Sequence, residues 1–200
     1  MNRLTLLVLS CAACTQASGA PPLPACDQDP AGIYAALLAQ TPRLLQTPAG
    51  DSAHQIVVVK TTGYRESMAE YFAPQWADTL ISLQGIDSTT AEDFLRNNQS
   101  EGLFPYPIPG IQNVVLADRG EVRALFEGAG AAGWQRFYAR FTNSQGYLIV
   151  TQGGISADST EALVFYGDHK GLRYGMGEFV VLRCDGKEWL VSFRQTTWMS

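Results

Sequence analysis

Gly177-Glu-Phe-Val-Val-Leu-Arg-Cys-Asp-Gly-Lys-Glu-Trp-Leu-Val-Ser-Phe193 decides the fold. Two runs rich in β-branched and aromatic residues flank Asp185-Gly186, the pair a two-residue type I′ hairpin favours because both its positions take positive φ. That turn predicts a register: Cys184 opposite Lys187, Arg183 opposite Glu188, Leu182 opposite Trp189 and Val180 opposite Val191. Val180, Leu182, Trp189 and Val191 then share the core face with Cys184. Arg183 and Glu188 meet on the other face as an opposite-charge pair.

Tyr147–Thr151 and Glu161–Tyr166 also read as strands, punctuated by Asp158-Ser159 and by a Gly167–Gly175 loop. No helical stretch of crossover length separates these four strands, so they are expected to run antiparallel as a meander. The first half is mixed. A helix opens at Asp29 or Pro30, runs through Ile33–Ala39 and ends near Thr41-Pro42, and Gln55–Thr61 reads as a buried strand. Glu66–Leu83, interrupted by Pro74, predicts two short helical pieces. Thr89-Thr-Ala-Glu92 has capping-box form and opens another helix. Leu103–Gly110, with three prolines, is an extended loop. Asn113–Ala117 returns to strand, and Glu121–Phe126 and Trp134–Phe141 read as helices around the Gly128–Gly133 break. The fold class is therefore α+β: one domain over residues 27–200, an antiparallel C-terminal β-meander packed against helices. The nearest analogy is a cystatin-like or nuclear-transport-factor-like helix on a curved sheet.

The start of the chain concerns destination. Met1-Asn-Arg3, an apolar Leu4–Leu9 run and small residues after it read as an export signal over residues 1–20. Two routes of cleavage stay open. Cys14, preceded by Ala12-Ala13, is a lipidation cysteine of bacterial lipoprotein type, with Cys11 as the other option. Ordinary cleavage instead falls after Ala20 or Ala17. The run is far short of the roughly 20 residues a membrane-spanning helix needs. Residues 15–26, rich in Pro, Ala and Ser, form a flexible tether. The destination is the periplasm or outer membrane as a lipoprotein, with a possible lipid anchor, or secretion. Two of the four cysteines then remain in the mature domain, and Cys26 and Cys184 are expected to form a disulfide in an oxidising compartment, against the reading of two separate buried thiols.

A net charge of −5 without any Lys/Arg stripe argues against a nucleic-acid partner. Gly133-Trp-Gln-Arg-Phe-Tyr138, Asn143-Ser-Gln-Gly146, Gly154-Ile-Ser-Ala-Asp-Ser-Thr-Glu-Ala-Leu-Val-Phe165, Gly175-Met-Gly177, Asp185-Gly-Lys-Glu-Trp189 and the closing Trp198-Met-Ser200 resemble a set of uncharacterised secreted bacterial proteins, many with lipoprotein signals. Glu92-Asp-Phe-Leu-Arg-Asn-Asn98 is a weaker echo. The resemblance implies compartment and scaffold and carries no catalytic residue.

Chemistry has few candidates. Asp168, His169, Arg173 and Tyr174 fall together in the Gly167–Gly175 segment, where an Asp beside a His can tune an acid/base pair. The plainer reading is a solvated hairpin loop. Phe104 and Tyr106 lie in a proline-rich loop suited to docking a partner at low ordering cost, or to covering an edge of the core. No Gly-x-Ser-x-Gly elbow and no metal-ligand spacing occurs, so neither metal nor cofactor is expected. Two functions follow: a non-catalytic envelope or secreted module that binds a protein or small ligand, or a small hydrolase-type enzyme using Asp168, His169 and Arg173. The oligomeric state is not legible.

Overall fold

The computed structural model describes residue 26 and residues 29–41, 54–62, 85–172 and 174–199. The signal, the tether, Cys14, Arg173 and the two helical pieces expected over 66–83 lie outside the described residues. The elements are α1 (Pro30–Ala39), β1 (Gln55–Val59), β2 (Thr61–Thr62), α2 (Ser88–Asn97), β3 (Gly102–Leu103), β4 (Val114–Ala117), α3 (Arg119–Phe126), α4 (Ala131–Arg140), β5 (Ser144–Val150), β6 (Gly154–Ile155), β7 (Glu161–Gly171), β8 (Tyr174–Cys184) and β9 (Trp189–Met199). The main sheet has the order β4-β1-β5-β7-β8-β9, with β6 also on β7, and β2 pairs with β3 apart from it. The class is α+β, and β7-β8-β9 form the C-terminal antiparallel meander. The first half adds a feature the meander did not imply: β1 pairs in parallel with both β4 and β5.

Helices cover both faces of this sheet rather than one. On one face α1 sets Ile33, Tyr34, Leu37 and Leu38 against Val58, Leu148, Ala162, Val164, Tyr166, Val180 and Leu182. On the other, α2 covers Leu163, Phe165, Phe179 and Val181 through Ala91 and Phe94. Beside it α3 and α4 cover Val57 and Val59 through Val122, Phe137 and Phe141. Ala162-Leu-Val-Phe-Tyr166 and Phe179-Val-Val-Leu182 are unbroken apolar runs, which is what strands buried on both faces require. A sheet with one core face and one wet face would have alternated.

The hairpin departs from the predicted turn. Asp185 Oδ1 accepts the backbone N–H groups of Lys187 (2.9 Å) and Glu188 (3.0 Å), and Asp185 N donates to Glu188 O at 3.2 Å. A carboxylate that satisfies two backbone donors favours this wider, four-residue connection. The register shifts by two, so Cys184 faces Trp189 and Leu182 faces Val191. A slip of two keeps every side chain on its face. Val180, Leu182, Cys184 and Trp189 are accordingly buried together, with Val191 packed against them. Arg183 instead bonds Glu161 at 3.2 Å, and the predicted Arg183–Glu188 pair does not form.

Two other expectations change. Residues 167–171 are not loop: β7 and β8 run on to Gly171 and Tyr174 as one long hairpin. The cap of α2 is Asp87, whose Oδ1 accepts Thr89 N at 2.7 Å, not Thr89. Thr89 Oγ1 instead accepts Ala157 N at 3.0 Å, tying the helix start to the loop before β7.

That loop is fastened side chain to backbone. Asn98 donates to Gln152 O and accepts Gln152 N, at 2.8 and 2.9 Å, and Asp93 accepts Ile155 N at 2.9 Å. Gly154 lies so close to α2 that a Cβ there would meet Phe94 N at 2.4 Å.

At the far side of the sheet, β9 is an edge strand, and unpaired edges invite aggregation. Gln40 blocks one rung, donating to Trp189 O and accepting Val191 N, both at 2.9 Å. Arg194 donates to Gln40 O (2.9 Å) and Thr41 Oγ1 (2.8 Å), and pairs with buried Glu178 at 3.3 Å. The Cys26–Cys184 disulfide, Cα atoms 5.7 Å apart, closes the other end of α1 onto β8. Replacing Cys184 by Ser should lower stability by about 2–5 kcal/mol. Limited proteolysis should then cut in and around α1 first, while circular dichroism retains the strand signal of the meander.

Candidate functional site

The described residues of the predicted polar loop do not converge on one site. On a strand, neighbouring side chains point to opposite faces. Asp168 therefore turns to the α1 side, where it is buried and pairs with Lys170 at 3.2 Å. His169 turns to the other face and stacks on Tyr147, centroids 4.8 Å apart and planes at 13°. Trp198 lies on its far side at 5.4 Å. Gly177 leaves the room for this: a Cβ there would lie 2.1 Å from Trp198 Nε1. Burial lowers the His169 pKa to about 4, so the ring is neutral near pH 7. Tyr174 is 75% exposed at the hairpin tip. Asp168 and His169 thus share no reaction centre.

The proline-rich loop also divides. Phe104 and Ile108 are buried in the core beside α1, with the Phe104 ring 5.0 Å from Tyr34. Tyr106 is exposed. Core cover accounts for the loop's apolar residues except Tyr106 and Leu103.

A different place is concave. Between α3 and the sheet lies a cavity of about 650 Å³. Its floor is apolar: Val59 ends β1, Tyr147 and Ile149 belong to β5, and Val122 and Phe126 face them from α3. Its mouth carries charge: Glu101, Arg119, Arg123 and Glu127. Topology explains the location. β1, β4 and β5 are parallel, and β1 lies between the other two. The chain leaves β1 toward β4 on one side, and leaves β5 toward β7 on the other. Connections that diverge from adjacent parallel strands open a crevice at their carboxyl ends, where ligands of open α/β sheets bind. Val59 and Ile149 stand at those ends.

Arg119 is engaged by Glu101 across the mouth. The N-terminus of α3 is closed by Asp118, whose Oδ1 accepts Gly120 N at 2.8 Å. Behind the floor, Trp134 packs edge-on to Phe126 (4.8 Å) and stacks on Tyr147 (5.9 Å). A row of rings thus runs from Trp134 through Tyr147 and His169 to Trp198. Sequence reasoning missed the cavity because its lining comes from two strands, a helix and a loop residue, with no motif among them. The available signal was the pair of helical connections flanking Asn113–Ala117, which permits parallel strands.

Gly128-Ala-Gly-Ala-Ala-Gly133 has the G-x-G-x-x-G spacing of dinucleotide-binding loops. It follows a helix instead of a strand, and a Cβ on Gly133 would meet Phe126 Cδ1 at 2.5 Å. Its last glycine serves helix contact. Among the described residues no cluster of three or more His, Cys, Asp or Glu is arranged to hold a metal. Comparison with protein-family models, with curated proteins and with solved structures finds no match.

The depressed His169 pKa has a sign that can be checked. Between about pH 6.5 and 4 the unfolded chain binds a proton at this residue and the folded chain does not. Its stabilising contribution is whole above pH 6.5 and is lost as pH falls toward 4. The depressed carboxylates Asp87, Asp158 and Asp185 stabilise the fold above their usual range and lose that contribution only as pH falls through it. Melting temperature should therefore fall across pH 6.5–4, and His169→Phe, which keeps a ring in the stack, should flatten that slope.

Proposed function

We propose that this chain is an exported bacterial protein that binds a ligand without transforming it, and that the cavity beside α3 is where it binds. The carrying observation is the apolar floor formed by Val59, Val122, Phe126, Tyr147 and Ile149 at the carboxyl ends of β1 and β5. A volume near 650 Å³ falls within the range of small-molecule sites, roughly 300–1,000 Å³. Export rests on the signal-like first twenty residues and is compatible with the disulfide. Membrane attachment through a lipid on Cys14, or release into the medium, follows from which cleavage route the signal takes. Membership of the secreted set that residues 130–200 resemble is part of the same proposal.

The non-catalytic reading is supported by the separation of Asp168 and His169 onto opposite faces. Among the described residues the cavity is lined by apolar groups and arginine–glutamate charge, with no nucleophile and base side by side.

A neutral apolar dye, N-phenylnaphthylamine, tests the site without presupposing the natural ligand. It should bind the mature protein at one saturable site. Ile149→Trp, which fills the floor, should weaken that binding about tenfold or more, or about 1.4 kcal/mol, with the melting temperature little changed. Equal dye binding by the variant would place the ligand elsewhere.

A further inference from the structure

We infer that the cavity takes a small zwitterion with an apolar body, a short apolar peptide with free termini being the fitting chemistry. This rests on the cavity being the binding site. An apolar floor alone would accept any greasy molecule, so the mouth has to supply the selection. Of its four charged residues, Arg119 and Glu101 already neutralise each other. Arg123 and Glu127 remain, one of each sign, both exposed and both lining the cavity. Neither forms an ion pair among the described residues, although they lie four positions apart. Glu127 is the C-cap of α3 and its backbone is extended (φ −63°, ψ 121°), which takes its side chain out of helical sequence with Arg123.

The mouth therefore offers one cationic and one anionic partner, each on a long side chain exposed to solvent. A molecule bearing a single charge would satisfy one and face the other with a like charge or none. An extended dipeptide spans about 7 Å, which sets its carboxylate and ammonium far enough apart for the two exposed side chains to take one each. Its side chains then reach Val59, Phe126 and Ile149. The cavity is also larger than one side chain requires, which favours a dipeptide over a free amino acid.

Isothermal titration of the mature protein with four forms of Leu-Phe decides this: free termini, N-acetylated, C-amidated, and blocked at both ends. The free form should bind tightest, and each single block should weaken it about two- to fivefold, the range for one exposed ion pair. Arg123→Gln should remove the penalty for amidation and leave that for acetylation, and Glu127→Gln should do the reverse. Molar salt should compress all four affinities together. If the doubly blocked peptide binds as well as the free one, or if none binds while N-phenylnaphthylamine does, the zwitterion inference is wrong and the cavity remains a binding site. If neither peptide nor dye binds, the site itself is wrong.

Discussion

Strands β7 and β8 are buried on both faces, and most of the chain follows from covering them. From Glu161 to Asp168 every residue of β7 is buried, and so is every residue of β8 from Gly177 to Leu182. Even-numbered side chains (Ala162, Val164, Tyr166, Val180, Leu182) face α1, and odd-numbered ones (Leu163, Phe165, Phe179, Val181) face α2. Removing one large side chain of this kind from water contributes roughly 1.5–3 kcal/mol. Both faces contribute only if both are roofed. Two helices far apart in sequence are therefore required, and each must be held in place.

The fastenings are of different kinds on the two faces. Helix α2 is held by contact distance and amide pairing, with Gly154 against Phe94 and Asn98 against Gln152. Helix α1 is held at its ends, by the disulfide at Cys26 and by Arg194 and Gln40 at its C-terminus. That second grip also guards the sheet, because Gln40 occupies edge groups of β9 that another chain would otherwise pair with. Glu178 is buried beneath it, satisfied by Tyr166 at 2.7 Å as well as by Arg194. A buried carboxylate without such partners would cost several kcal/mol.

The joints are built from glycines at close approaches, amides and an aromatic ring. Asp93, Asn97 and Asn98, and Gln152 to Ile155, form the α2 joint. Gly177 makes room for Trp198. Their pattern was legible as scaffold, and so were most of the described helices and strands, because cap residues, prolines and β-branched runs act locally; the continuation of β7 through Gly167–Gly171 was not. The disulfide was legible from arithmetic on four cysteines. The hairpin register was legible only to its parity: the type I′ signal of Asp185-Gly186 lost to the Asp185 carboxylate, yet a slip of two left the core face intact. The parallel strands and the cavity were not legible, since β1 meets β4 and β5 across long connections that no local propensity records. The same non-locality hid the ring stack at His169, whose neighbours Tyr147 and Trp198 come from other strands.

Native-state amide hydrogen exchange tests the central place of β7 and β8 most directly. Amides of Ala162–Tyr166 and Phe179–Leu182 should form the slowest class and exchange only through global unfolding, tracking its free energy as denaturant is added. Amides of β4, an edge strand, and of α3 should open locally and faster. If β1, β4 and β5 instead proved the slowest, with β7 and β8 exchanging by partial opening, the doubly roofed hairpin would not be what the fold is built on.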